Sequence, residues 1–177
     1  MFKTLKADFR RNLQDYAPAG RLKRLALGLT LNSTQALLLI RFQSWCGAHG
    51  LPTVFAAKLL FWFFKIEISS RARIGPGLRL PHPMGLIIAP NVTVGENCDL
   101  YADVRLVLAH GSPQGPQIGN HVFLGDGAKV VGHVNVGDHA VIGVSSVVTK
   151  DIPAHATAVG IPAKVIVEHN ERAADVR

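Results

Sequence analysis

Residues 118–148 read IGNHVFLGDGAKVVGHVNVGDHAVIGVSSVV, with Ile118, Leu124, Val130, Val136, Ile142 and Val148 at every sixth position. A period of six is neither the 3.6 of an amphipathic helix nor the 2 of a half-buried strand. The spacing continues backward through Leu106, Leu100, Val94 and Ile88 and then, after a slip of two residues, through Leu80, Ile74 and Ile68. Glycine follows the aliphatic residue at Gly75, Gly95, Gly119, Gly125, Gly137 and Gly143, with the small Ala89 in the corresponding place. Four places after the aliphatic residue stand Ala72, Val92, Cys98, Val104, Val122, Ala128, Val134, Ala140 and Ser146, each small or β-branched.

Hexads of this kind predict a left-handed parallel β-helix. Each hexad makes one flat side of a triangular coil, and three of them, ~18 residues, close a turn. The aliphatic residue fills the prism and the small residue fits its corner. Residues 68–153 then form about five coils. The expected fold is mainly β with a short α-helical N-terminal region, divided as 1–66 helical, 67–167 β-helix and 168–177 tail. Ser112-Pro113-Gln114-Gly115-Pro116-Gln117 occupies a hexad with no aliphatic residue and two prolines, so it is expected to leave the coil as a loop. Loops on a rigid solenoid are where sites are built.

With 177 residues, the chain has room for one domain or little more, and 48% hydrophobic against 18% charged residues excludes a disordered polypeptide. Cys46 and Cys98 form no CxxC motif and are too few for a disulfide framework, so both are expected as reduced thiols. The net charge of +7 is uneven: residues 1–66 hold ten Lys and Arg against Asp8 and Asp15, and the rest is nearly balanced. That distribution argues against nucleic-acid reading, which needs a basic stripe on the folded surface, and favours an anionic membrane or partner.

Ahead of residue 67 the periodicity is helical. A helix over about 3–16 precedes the Ala17-Pro18-Ala19-Gly20 break; a second has Leu38, Arg41, Phe42 and Trp45 on one face, with Asn32, Ser33 or Thr34 as its N-cap. Gly47 and Gly50 stop it, and Pro52 opens a third running to about Lys65. The start MFKTLKADFRR lacks the apolar core of a secretory signal, and the stretch from Leu51 to Ile66 falls short of the ~18–20 apolar residues that span a bilayer. A cytoplasmic protein is expected. Phe55, Phe61, Trp62, Phe63 and Phe64 are expected either to touch a membrane surface or to pack against the first coil and between subunits. Asp103, His121 and His139 are 18 residues apart and are expected in one column at the ~4.8 Å strand spacing, as a zinc-type site or, since a flat column gives poor tetrahedral geometry, as a solvated ladder without metal. His133 lies on a different side.

With the tail Asp151-Ile152-Pro153-Ala154-His155 and Gly160-Ile161-Pro162-Ala163-Lys164, the chain resembles hexapeptide-repeat acyltransferases. The segments QALLLIRFQSWCGAHG and EISSRARIGPGLRLPHPMGLII make it most similar, within them, to serine O-acetyltransferases, over about residues 35–167. The resemblance implies acetyl-CoA as co-substrate, a homotrimer with sites between β-helices, His82 as general base and, fifteen positions earlier, Glu67 in place of the usual aspartate that holds it. The chemistry suits those types: a neutral imidazole takes the proton of a hydroxyl as it attacks a thioester, and a carboxylate fixes the imidazole. It also implies that Gly125, Asp126, Ala128, Gly143, Val144 and Ser145 line the acetyl-CoA site, with Lys164 placed to meet phosphates.

Two departures bear on the acceptor. Pro81 replaces the acidic residue that precedes the family's histidine, and Gln114-Gly115-Pro116-Gln117-Ile118 replaces Arg-His-Pro-Lys-Ile. His110 and Gln114 are the candidate acceptor-site residues, His110 either substituting for the missing histidine or being an exposed loop residue. Unpaired charges in a cleft are costly, so the expected acceptor is a neutral hydroxyl compound such as a sugar on a nucleotide or lipid carrier. Serine, in cysteine biosynthesis, is the alternative, and a noncatalytic or metal-holding scaffold is the other.

Overall fold

The computed structural model describes residues 2–14 and 30–168. Among the described residues, helices α1 (Phe2–Asn12), α2 (Asn32–Ala48) and α3 (Val54–Phe64) precede fourteen short strands. Most of the strands are two residues long, because a hexad spends its other residues on the corner. They form three faces of a prism. Face A holds β1 (Glu67–Ile68), β3 (Ile87–Ile88), β6 (Arg105–Val107), β9 (Lys129–Val131) and β12 (Val147–Val148). Face B holds β2 (Arg73–Ile74), β4 (Thr93–Val94), β7 (Gln117–Ile118) and β10 (Asn135–Val136). Face C holds β5 (Asp99–Leu100), β8 (Phe123–Leu124), β11 (Val141–Ile142), β13 (Ala156–Gly160) and β14 (Ala163–Glu168). Every pairing between successive coils is parallel, as in Ile68 with Ile88 and Ile88 with Leu106.

The aliphatic hexad residues are the core. Leu80, Leu100, Leu106, Leu124, Val130 and Ile142 are fully buried, and the corner positions Val92, Cys98, Val104, Val122, Ala128 and Ala140 are buried with them. Both cysteines are free and buried, and desolvation raises the Cys98 thiol pKa. The slip between Leu80 and Ile88 enlarges the first corner between faces C and A. Residues 108–116 leave the coil between β6 and β7, while Gln117 itself belongs to β7. The end after Val148 closes with an antiparallel hairpin, β13 with β14, which the hexad pattern did not predict.

The open first coil is capped by side chains. Arg41 donates to the carbonyls of Ile74 at 2.7 Å and Gly75 at 2.6 Å, and Gln43 to that of Ile68 at 2.6 Å. Asp8 accepts from the Leu78 N–H at 2.9 Å, and Asn12 bonds both the Leu78 carbonyl and the Leu80 N–H. These groups would otherwise be strand-edge donors and acceptors without partners. Asp8 and Arg41 also pair with each other at 2.7 Å, both buried.

The helices differ from expectation in detail. Helix α1 ends at Asn12, and the expected part beyond residue 14 lies outside the described residues. Leu31 is the N-cap of α2, with no side-chain capping bond, and the buried side of that helix is Ala36, Leu37, Ile40 and Cys46. Phe42 and Trp45 stack on its outer side, while Arg41 turns inward to the coil. Helix α3 buries Ala56, Leu60 and Phe64 and leaves Phe55, Trp62 and Phe63 exposed. Among the described residues no helix is long and apolar enough to cross a membrane.

Candidate active site

The edge between faces C and A carries the candidate catalytic histidine. Leu80 is buried in the prism, Pro83 is buried behind the turn, and His82 between them is exposed. The turn is held by the Met84 N–H to the His82 carbonyl at 2.8 Å, by the Gly85 N–H to Phe64 at 3.1 Å and by the Asp103 N–H to Met84 at 2.9 Å. Gly85 has φ +70°, a conformation glycine adopts without strain, and a Cβ there would meet the exposed Asp103 carboxylate and turn it aside. The two extra residues of the slip belong to this corner, on which His82 is exposed.

Above His82 on the same edge the corners are tightly stacked. The Gly127 N–H donates to Ala102 at 2.8 Å, and the Ser145 N–H to Asp126 at 2.7 Å. Asp126 also accepts from the Ala102 N–H at 3.0 Å. Gly125 and Ala128 are buried, Gly143 is half-buried, and Asp126, Val144 and Ser145 are exposed. The structure thus brings the six residues expected to line the cofactor site onto the edge that bears His82, two and three coils further along. Val159 packs on Gly143, and Lys164 is its partner across the β13–β14 hairpin, exposed at the far end of that edge.

Glu67 opens β1, exposed, with its N–H donating to Leu86 at 2.8 Å. Because Glu67 pairs with Ile87, it and His82 share one coil, at its start and its last corner, rather than lying on neighbouring coils as their spacing suggests. Among the described residues no hydrogen bond or ion pair joins Glu67 to His82. Glu67 instead borders a groove of ≈ 390 Å³ shared with Thr53, Lys58 and Phe61. His110 and Gln114 are exposed on the 108–116 loop at the edge between faces A and B, across face A from His82, so one chain does not bring them to it.

The expected column of Asp103, His121 and His139 is corrected. The loop lengthens the intervening coil, as Leu106 pairs with Val130, so Asp103 falls on the His82 edge. His121 and His139 do stack between faces B and C, rings 4.7 Å apart at 2°, and His155 extends the stack at 4.8 Å and 10°. His155 was missed because the last coil is shorter. Parallel rings do not point at a common centre, and among the described residues no group of three or more His, Cys, Asp or Glu is placed to hold a metal ion.

A prism of parallel hexad coils is the fold that the resemblance to hexapeptide-repeat acyltransferases implies, and comparison with known proteins places the chain in that class. No family model matches the chain. It is 37% identical over 171 residues to the serine acetyltransferase of Synechococcus elongatus, covering 94% of this chain and 69% of that protein. It therefore belongs to the serine acetyltransferase family. The chain spans only 53% of the Staphylococcus aureus serine acetyltransferase, to which it is 36% identical over 63% of its own length. Among solved structures, Neisseria gonorrhoeae serine acetyltransferase in complex with serine matches with a TM-score of 0.81 at 30% identity, covering 92% of this chain and 68% of that one. Brucella abortus serine acetyltransferase in complex with coenzyme A matches at 0.82 and 30%, covering 96% and 68%.

Proposed function

We propose that the protein transfers the acetyl group of acetyl-CoA directly to the hydroxyl of L-serine. The observation that carries this reading is the exposure of His82 on the same edge as the ladder from Gly125 to Ser145. Gly125 lies two coils from His82 and Gly143 three, on the order of 10 and 14 Å at one strand spacing per coil. An extended thioester arm lying along that edge brings its carbonyl near the imidazole. His82 takes the hydroxyl proton as the serine oxygen attacks that carbonyl; the C–S bond then breaks, and the proton passes to the departing thiolate, regenerating neutral His82. In this reading Glu67 orients the ring, which requires its carboxylate to leave the Thr53–Phe61 groove and meet His82, a contact this structure does not show. Two relatives support the reactants: a serine acetyltransferase binds serine in one solved structure and coenzyme A in another. On this ground serine displaces the neutral sugar acceptor as the first reading.

The reading includes a homotrimer in which the His82 edge of one subunit meets the loop-bearing edge of the next, carrying His110 and Gln114 to the site. It also includes peripheral contact of the exposed α3 aromatics with a membrane, supported by the basic 1–66 region. A second reading, a neutral hydroxyl acceptor such as a nucleotide- or lipid-linked sugar, is favoured by one observation: Pro81 and residues 112–117 carry no charged side chain. Release of free thiol from acetyl-CoA, compared with L-serine and with sugar nucleotides as acceptors, separates the two. Turnover on serine supports the first reading, turnover only on the sugar supports the second, and absence of acetyl-CoA binding leaves the noncatalytic scaffold.

A further inference from the structure

Around the prism from His82, the outer side of face B holds a polar groove of ≈ 470 Å³ lined by Arg71, Arg73, Asn91, Val92, Thr93 and Gln117. Arg71 and Arg73 are exposed, and among the described residues neither guanidinium forms an ion pair or a hydrogen bond. The outward residues stacked on Arg73 along face B are Thr93, Gln117 and Asn135, and the first acid of the column, Asp151, comes four coils away, where it is bonded to Asn135. The floor is fixed by side-chain bonds. The Asn91 Nδ2 donates to Pro113 at 2.9 Å, and the Gln117 Nε2 donates to Gly115 at 3.2 Å and to the Asn91 carbonyl at 3.4 Å. The same bonds fasten the base of the 108–116 loop to Asn91 and Gln117, which line the groove with the two arginines.

We propose that this groove is an oxyanion subsite in which Arg71 and Arg73 together take a carboxylate or phosphate group of a reactant. Planar guanidinium groups are the side chains best fitted to hold either group by paired N–H donors, and two of them without a counterion on a rigid floor favour an anion. The 108–116 loop has no Lys or Arg of its own, so the permanent positive charge of this region comes from the coil beneath it. That the anion belongs to a reactant rests on the trimer proposed above, which sets this edge beside a neighbour's His82; binding of an oxyanion rests on this chain alone. The two sources with the same chemistry are the carboxylate of serine and the 3′-phosphate of coenzyme A.

Isothermal titration of the full-length protein tests it, comparing wild type with the Arg71→Gln/Arg73→Gln double variant. The ligands are L-serine, L-serinamide, coenzyme A, 3′-dephospho-coenzyme A and inorganic phosphate. Because both arginines are exposed, the variant is expected to melt with the wild type. The expected result is a loss of tenfold or more in affinity for inorganic phosphate and for one charged reactant, while its neutral or dephosphorylated counterpart binds both proteins alike. Loss for serine but not serinamide assigns the carboxylate; loss for coenzyme A but not its dephospho form assigns the phosphate. Unchanged affinities for all ligands in the double variant overturn the proposal, even if serine turns over. If the wild type binds neither serine nor coenzyme A, the functional reading fails by itself. The subsite then stands on phosphate binding that the variant loses and falls if the wild type binds none.

Discussion

Tyr101 meets the His82 ring edge-on, centroids 6.2 Å apart at 63°, and is itself backed by Phe123 at 5.0 Å. The three rings climb one coil at a time, so the imidazole rests on an aromatic wall instead of moving freely in solvent. Aromatic contacts of this geometry contribute ~0.5–1.5 kcal/mol beyond area burial. Replacing Tyr101 by Leu removes the wall's polar-edged ring and leaves the coil intact. We expect kcat to fall about tenfold, within the ~10²-fold cost of an ångström of misplacement, with KM for acetyl-CoA unchanged. Steady-state kinetics check this, and an unaltered kcat would remove Tyr101 from the site.

Glu67 is expected to act only through His82. Glu67→Gln keeps the size and removes the charge, and it should lower kcat by about tenfold, less than loss of a general base, which costs ~10²–10⁴. Glu67→Asp should restore most of the rate, since a carboxylate remains. A Glu67→Gln protein with wild-type kcat and KM would show that this carboxylate has no part in the reaction.

The buried Asp8–Arg41 pair predicts a large stability effect far from the edge. Asp8→Ala leaves the Arg41 guanidinium buried beside two carbonyls and the Leu78 N–H without its acceptor. Loss of one partner of a buried ion pair costs ~3–5 kcal/mol. Chemical denaturation of Asp8→Ala should show a destabilisation of that order, and a change below ~1 kcal/mol would contradict the capping role.

That cap was not legible in the sequence, although the coil it covers was. The hexad aliphatics set the core because a period of six puts every one of them inside the prism, whatever else the hexad holds. Asp8, Asn12, Arg41 and Gln43 are polar residues on helices; only the coil end they meet, at sequence distances of 25 to 70 residues, explains their burial. His82 was singled out by the family resemblance, and the slip visible in the spacing beside it is the enlarged corner on which the structure places it. Spacing misplaced Asp103, because counting eighteen residues across the 108–116 loop assumes an uninterrupted coil. Helical spacing put Arg41 on one face with Phe42 and Trp45, whereas Arg41 and Gln43 are buried against the coil and Phe42 and Trp45 lie exposed.

Acid should loosen the later corners. Asp138 accepts from the Asn120 N–H at 2.7 Å and Asp151 from the Asn135 N–H at 2.8 Å. These backbone hydrogen bonds, first among the causes, hold both carboxyls below the ordinary value of 3.8. A carboxyl depressed in the folded state contributes stability that is present above its unfolded pKa and is lost as pH falls through the folded one. Melting temperatures of wild type and Asp151→Ala should therefore differ near neutral pH and converge below about pH 3.8. A difference that stays constant from pH 7 to pH 3 would contradict the assignment.

The most direct test of the central claim is the single-turnover rate of acetyl transfer from acetyl-CoA to L-serine in His82→Ala, measured together with coenzyme A affinity. The account predicts a rate lower by ~10²–10⁴ with coenzyme A binding retained, because the imidazole moves the proton while the Gly125–Ser145 edge holds the cofactor. A His82→Ala protein that transfers acetyl groups at the wild-type rate would contradict it.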